Sequence, residues 1–322
     1  MAAADALTLR AHAQELASLP PLAADVDTSR VGEYHGYGQL VSRWAALEAA
    51  GARATRVGTS VGGNPLFAFE IGPSDAPATS TVMAGIHPIE WIGVETMLAI
   101  LDRLVAAPPR DRRVVAFPLI NVDGYRLVER DLRSGRRRFI RSNKHGVDLN
   151  RNWRTHFKTR RRLGGVLAGW NYGGPTPASE PEIEAVVGML DEAAEASTID
   201  AALSLHSFGR MILFPYGGKV RRAERFDELQ REAQALQDRL RFRYRLGQSS
   251  RWVPGLRAHG MEIDHLHAEY GAIALLVECS SGGLSLRDPS SWTHPFRWFN
   301  PPDPAREADA IADAVLPFIN PG

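Results

Sequence analysis

Three histidines begin a His-x-x-Glu spacing: His12/Glu15, His87/Glu90 and His259/Glu262. An imidazole nitrogen and a carboxylate oxygen both suit zinc, which they bind at about 2.0–2.2 Å. With ten histidines in the chain the spacing also arises by chance, so context must separate the pairs. His12/Glu15 lies in a polar, helix-like leader, and His259/Glu262 follows a loop containing Gly and Pro. His87/Glu90 instead follows Thr79-Ser-Thr-Val-Met-Ala-Gly-Ile86, which reads as a buried strand running out into a turn and then a helix. A strand end is rigid and holds side chains at metal-ligand distances; an ordinary surface histidine is the competing reading.

A structural zinc is closed by four protein ligands, whereas a catalytic one keeps a position for water. A further histidine at a strand end is therefore informative. His206 ends Asp200-Ala-Ala-Leu-Ser-Leu205, although taken in isolation a core histidine at a strand terminus is the simpler reading. Glu278 closes Ala274-Leu-Leu-Val277, where an acidic residue is costly unless it pairs or does chemistry. The neighbouring Cys279 should turn to the opposite face as a small core residue.

The elements that must position these residues follow from apolar period and turn chemistry. Residues 1–30 are Ala-rich, broken at Pro20-Pro21, and read as a peripheral helix and arm. Leu40, Val41, Trp44 and Leu47 give a helix over 37–50. Runs at 54–57 and 66–71 flank a Gly-rich loop and predict a hairpin. Strands are expected at 79–86, 114–120, 198–205, 211–214 and 272–277. Helices are expected at 93–105, at 226–240 and at 305–318, with another opened by a Ser179-Glu-Pro-Glu182 capping box and running to about Ala196. The alternation predicts one α/β domain: a mixed, mostly parallel, twisted sheet of about eight strands with helices on both faces.

Composition narrows the function classes. A hydrophobic content of 44% with 23% charged residues is that of an ordinary globular chain. The net charge of +1 gives no electrostatic argument for nucleic acid or a membrane surface as partner. A single cysteine excludes an internal disulfide framework and a Cys-type zinc site. The first thirty residues lack the pattern of a signal peptide, and no stretch stays apolar for the 18 residues of a membrane span. Cytoplasmic residence is the expectation, with a leader too short to form a folded inhibitory pro-domain.

Between the two strand-end histidines lie Arg138-Phe-Ile-Arg141 and Asp148-Leu-Asn150-Arg151-Asn-Trp153. Taken in order, His87-x-x-Glu90, Asn121-Val-Asp-Gly-Tyr125, Arg141, Asp148-Leu-Asn-Arg151, Ser179-Glu-Pro-Glu182, Leu205-His-Ser207, Phe214-Pro-Tyr-Gly217 and Glu278 resemble the zinc metallocarboxypeptidases of the carboxypeptidase A/B type. The resemblance runs from about Tyr34 to the C-terminus and makes 31–322 a catalytic domain. It implies one Zn2+ per chain held by His87, Glu90 and His206, the His₂Glu set known for carboxypeptidase A. It implies that Glu278 is the general base toward a zinc-activated water, that Arg141 polarises the scissile carbonyl, and that Asn150 and Arg151 hold the substrate's terminal carboxylate. Asp148 would orient His87 from behind.

Two departures stand out. The family's substrate-covering tyrosine falls, by ungapped counting back from Glu278, on Leu256; Tyr270 is a substitute only if the loop is rebuilt. The arginine common inside the family's His-x-x-Glu motif is Ile89 here. Specificity in the family is set partly by a position in the stretch that matches Glu262-Ile263-Asp264, and the resemblance implies that Ile263 would suit an apolar or aromatic terminal side chain. Basic runs at Arg133, Arg136, Arg137 and Arg138 and at 160–162 would favour an acidic peptide if they rim the cleft. His259, His265 and His267 are read as structural. A narrow or small-peptide substrate is expected of an unrestrained cytoplasmic exopeptidase. The rivals are an amidohydrolase acting on an N-acyl amino acid or a cell-wall-type peptide, which shares His-x-x-Glu and Asp-Leu-Asn-Arg, and a silent peptide-binding domain, which would be expected to have lost Glu278 or a zinc ligand.

Overall fold

The computed structural model describes residues 8–18, 33–159, 171–252, 257–286 and 289–321. Most of the leader arm and the run at 160–162 lie outside the described residues. Helices α1 (Leu9–Ser18) and α2 (Tyr37–Ala49) precede the hairpin of β1 (Arg53–Thr59) and β2 (Pro65–Ile71). Then follow β3 (Ala78–Ala84), α3 (Trp91–Ala106), β4 (Arg112–Phe117), α4 (Val122–Arg133), α5 (Pro181–Ala196), β5 (Thr198–His206), β6 (Met211–Phe214) and α6 (Phe226–Arg239). The chain continues through β7 (Arg245–Gln248), α7 (Glu262–Tyr270), β8 (Ile273–Glu278), α8 (Pro295–Phe299) and α9 (Pro304–Ile319).

The strands form one eight-stranded sheet in the order β1-β2-β4-β3-β5-β8-β6-β7. Its centre, β4-β3-β5-β8, is parallel, while β1/β2, β2/β4 and β6/β8 are antiparallel. The mixed sheet is the one expected. Alternation along its central strands sends helices to both faces. Val82, Ala84, Leu203, Leu205, Leu275 and Val277 pack with residues of α2, α3, α6 and α9. Met83, Ala202, Ala274 and Leu276 point the other way, onto α5 and α7. Cys279 is buried in the first of these cores, as its place after Glu278 requires.

From β3 the chain steps to β4 on one side and later to β5 on the other. The carboxyl ends of β3 and β5 therefore open a crevice at a topological switch point, the usual place for a ligand in such sheets. Gly85 turns the chain out of β3 with φ +64, and a Cβ there would stand 2.5 Å from Leu119 Cδ1. Gly93 lets α3 approach β5: a Cβ would stand 2.8 Å from the Leu205 carbonyl oxygen.

Several boundaries differ from the sequence reading. β4 ends at Phe117 rather than at 120, because Pro118 has no N–H to extend the ladder. Ser179 does not cap α5. The cap position is Glu180, with Pro181 in the first turn. Ser179 Oγ donates to Glu180 Oε1, and Glu182 accepts from Val61 N and Asn143 Nδ2 instead of closing a capping box. Helices α4 and α7 and the edge strand β7 were not foreseen.

Among the described residues no helix is long and apolar enough to cross a membrane. Helix α1 packs on α2, where His12 Nε2 lies 3.0 Å from the Tyr37 hydroxyl.

Candidate active site

His87 and Glu90 sit in the turn between β3 and α3, both about 3% exposed. That turn is clamped from the far end of the chain: Asn300 Nδ2 donates to Ile89 O at 2.7 Å and Ile92 N donates to Asn300 Oδ1 at 3.0 Å. Trp91 Nε1 donates to Pro88 O, and its ring stacks on Tyr125 with centroids 4.1 Å apart. His206 arrives as the last residue of β5 and Glu278 as the last of β8, and the two are partners in the parallel ladder. Side chains that leave two adjacent strands at the same level are delivered to one crevice.

His87, Glu90 and His206 converge so that one donor atom of each lies within 4.8 Å of the others. His206 Nδ1 is 3.1 Å from His87 Nδ1 and 2.9 Å from Glu90 Oε2, and His87 Nδ1 is 2.9 Å from Glu90 Oε1. Four donors at about 2.05 Å in a tetrahedron lie about 3.3 Å apart, so these spacings fit zinc. Each ring also has its other nitrogen on a buried carboxylate. His87 Nε2 is 3.1 Å from Asp148 Oδ1, and His206 Nε2 is 2.9 Å from Glu262 Oε1. If each ring donates through Nε2, the two Nδ1 lone pairs face one another, an arrangement that a cation between them resolves. The donor set therefore fits the metal.

Asp148 Oδ2 also accepts from Arg141 Nε at 2.8 Å, and Arg141 lies 3.7 Å from Glu90 Oε1. The cleft is lined by His87, Glu90, His206, Glu278 and Arg141, and by Asn150 and Arg151 from the turn after Asp148. Asn150 Oδ1 accepts from Glu262 N at 3.2 Å, and Arg151 Nε donates to Asn171 Oδ1 at 2.9 Å. Glu278 Oε2 is buried and has no hydrogen-bond partner among the described residues.

Electrostatics separate the two carboxylates. Burial alone would raise Glu90, but the His87 and His206 rings overcome it and hold its pKa well below the ordinary carboxylate range. Glu278 goes the other way: burial and then the Glu90 charge push it up to about 8, against His206 and Arg141. His206 is raised to about 10, because Glu90 and Glu262 outweigh its burial. Burial works against ionised Asp148 too, yet Arg141 and His87 keep its pKa well below normal.

The signs give a pH prediction for protein stripped of metal by a chelator. His206, raised, contributes stability that is present below its unfolded value of 6.5 and fades as pH approaches 10. Glu278, also raised, contributes stability that is present below 4.5 and fades as pH passes 8. In urea titrations, the midpoint should therefore fall more between pH 5 and 9 for the unaltered chain than for Glu278→Gln. Equal slopes would show that Glu278 ionises freely.

Ile263 is corrected. It is fully buried in the core under α7 and does not line the cleft. The apolar lining there includes Leu213, Met261, Leu276, Ala258 and Trp252, together with Phe208 and Phe299. Ile89 is buried as well, and Tyr270 donates its hydroxyl to Asp191 outside the cleft. Leu256 lies outside the described residues. Arg138 pairs with Asp131, Arg133 with Glu129, and Arg137 donates to Thr293, so these parts of the basic run are tied down away from the cleft. His265 and His267 are buried in α7, as a structural reading expects. Glu262 was assigned no role of its own. Its one sequence signal was the third His-x-x-Glu pair, and its actual histidine partner is His206, 56 residues away.

A family model described as zinc carboxypeptidase matches residues 39–285. Among curated proteins, carboxypeptidase A2 of Mus musculus is 29% identical over 201 residues, covering 56% of this chain and 46% of the relative. Carboxypeptidase A6 of Homo sapiens is 32% identical over 213 residues, covering 60% and 48%. The chain thus matches about half the length of these relatives. Bovine thrombin-activatable fibrinolysis inhibitor, solved with a tick carboxypeptidase inhibitor, has the same fold, with TM-score 0.69 at 23% identity over 90% of this chain and 97% of that one. Carboxypeptidase A from Helicoverpa armigera gives TM-score 0.65 at 21% identity over 95% and 80%. A sheet whose strand ends bring His, Glu and His into one crevice, and a family match over most of the chain, lead to one conclusion: the protein belongs to the zinc carboxypeptidase family.

Proposed function

We propose that the protein is a zinc-dependent metallocarboxypeptidase that hydrolyses the C-terminal peptide bond of peptides ending in an apolar or aromatic residue. The observation that carries this reading is Glu278. Its carboxylate is raised in pKa, has an unpartnered buried oxygen, and lines the same cleft as His87, Glu90 and His206. A carboxylate poised near neutrality and lacking a partner is suited to take a proton from an attacking water and return it to the leaving amine.

Zinc held by His87, Glu90 and His206 would supply Lewis acidity toward the scissile carbonyl and lower the pKa of water. The remaining work falls to the chain's own groups. Arg141, fixed through Nε by Asp148, offers its terminal N–H groups to the carbonyl oxygen as negative charge develops there. Arg151 and Asn150 hold the terminal carboxylate and so set the register of cleavage. Asn150 Nδ2 lies 3.4 Å from His206 Nε2; when that nitrogen carries a proton, two donors face each other and the amide is left to serve a substrate. Leu213, Met261 and Leu276 favour an apolar terminal side chain.

The test is release of phenylalanine from an N-blocked dipeptide by zinc-loaded protein, its loss on chelation and its return with zinc. No release by protein carrying one zinc per chain would turn the reading toward acyl-amino-acid or cell-wall-type amide substrates. Arg151→Ala is expected to lower kcat/KM on free-acid peptides about 10- to 100-fold, mainly through KM, since a hydrogen bond to a charged group is worth about 1.5–3 kcal/mol. An unchanged KM would remove Arg151 from the substrate.

A further inference from the structure

Each of the two histidines has a buried carboxylate on the nitrogen that faces away from the His-Glu-His cluster. For His87 it is Asp148, the partner that the sequence resemblance implies. For His206 it is Glu262, the first residue of α7, fully buried, with Oε1 2.9 Å from His206 Nε2. Glu262 is held there from a second direction, since its backbone N–H donates to Asn150 Oδ1 at 3.2 Å. Asn150 in turn donates its own N–H to Asp148 Oδ1 at 3.1 Å. One residue thus braces the loop of one carboxylate and the helix start of the other.

The second oxygen of Glu262 is the informative one. Oε2 is buried and has no hydrogen-bond partner among the described residues. A buried carboxylate with an unmade hydrogen bond is destabilising, and an apolar side chain would fill the start of α7 at less cost. The contact that accounts for this residue is the one to His206.

We infer that Glu262 is a positioning residue for the metal centre: it fixes His206 as the Nε2–H tautomer, with Nδ1 presented to zinc, and so completes a second carboxylate–histidine pair beside that of Asp148 and His87. The inference rests on the proposed zinc site. A carboxylate behind a metal-bound imidazole orients the ring and raises its basicity, and its removal typically weakens metal affinity about 10- to 100-fold.

The experiment compares the unaltered protein with Glu262→Gln and Glu262→Ala. Zinc affinity is read by chelator competition, and the ligand field by the visible spectrum of cobalt(II)-loaded protein. Glu182→Gln serves as control, because Glu182 is equally buried but accepts from Val61 N and Asn143 Nδ2 rather than from a histidine of the cluster. The expected result is zinc binding weaker by about 10- to 100-fold in both Glu262 variants, with a shifted cobalt spectrum, and neither change in Glu182→Gln. Should Glu262→Ala fail to fold, the near-isosteric Gln variant decides. Ring ¹⁵N NMR of the unaltered zinc protein gives a reading free of mutation: His206 must carry its proton on Nε2. Zinc affinity and cobalt spectrum unchanged in Glu262→Gln, or metal on His206 Nε2, overturns the inference while leaving the zinc site standing. Failure of the unaltered protein to take up zinc overturns both.

Discussion

Glu278→Gln is expected to lower kcat for peptide hydrolysis about 10²- to 10⁴-fold, the range found when a positioned general base is removed. Zinc content should stay at one per chain, because Glu278 is not among the three converging donors. The amide keeps nearly the shape of the carboxylate, so the surrounding packing of β8 is preserved. What it loses is the capacity to accept a proton. KM should change little, since the terminal carboxylate is assigned to Asn150 and Arg151. Steady-state kinetics with metal analysis decides the matter. A variant with zinc bound and more than a tenth of normal kcat would remove Glu278 from the chemistry.

The second large effect is at the metal. His206→Ala removes one of three donors and leaves Glu90 and Glu262 as buried carboxylates without the ring that both contact. Zinc should be lost and activity with it. Breaking a buried charged pair by deleting one partner costs about 3–5 kcal/mol, so the variant should also unfold at lower urea than the zinc-loaded parent. Stripping zinc from the unaltered chain should produce the same direction of change. The contribution of bound metal is about 4 kcal/mol when free zinc exceeds its Kd 1,000-fold. If His206→Ala binds zinc as tightly as the unaltered chain, the assignment of this donor fails.

The fold was legible where polarity follows an apolar run. A histidine after Ala201–Leu205 and a glutamate after Ala274–Val277 mark strand ends, and a parallel sheet then brings adjacent strand ends together. Asp148 and Arg141 came from the motif order rather than from any local pattern, and the structure does place them in contact. Ile263 was misread because α7 buries every residue from Glu262 to His267. A short helix surrounded by protein has no amphipathic period, so the sequence does not tell which side chain meets the cleft. Helix α4 was hidden by Gly124 in its first turn and by its many charges, although Val122, Tyr125 and Val128 have helical spacing. The clamp of Asn300 on the His87 turn had no local signal at all. It joins residues 208 and 211 positions apart, a relation that only folding creates.

The central claim is removal of single residues from a free C-terminus. Zinc-loaded protein should be incubated with a mixed set of peptides and with the same peptides amidated at the C-terminus, and the products read by mass spectrometry. The account predicts loss of one residue at a time from the free-acid peptides only, fastest from those ending in apolar or aromatic residues, and no loss with Glu278→Gln. Cleavage of both sets alike, internal cleavage, or no cleavage with zinc bound would contradict it.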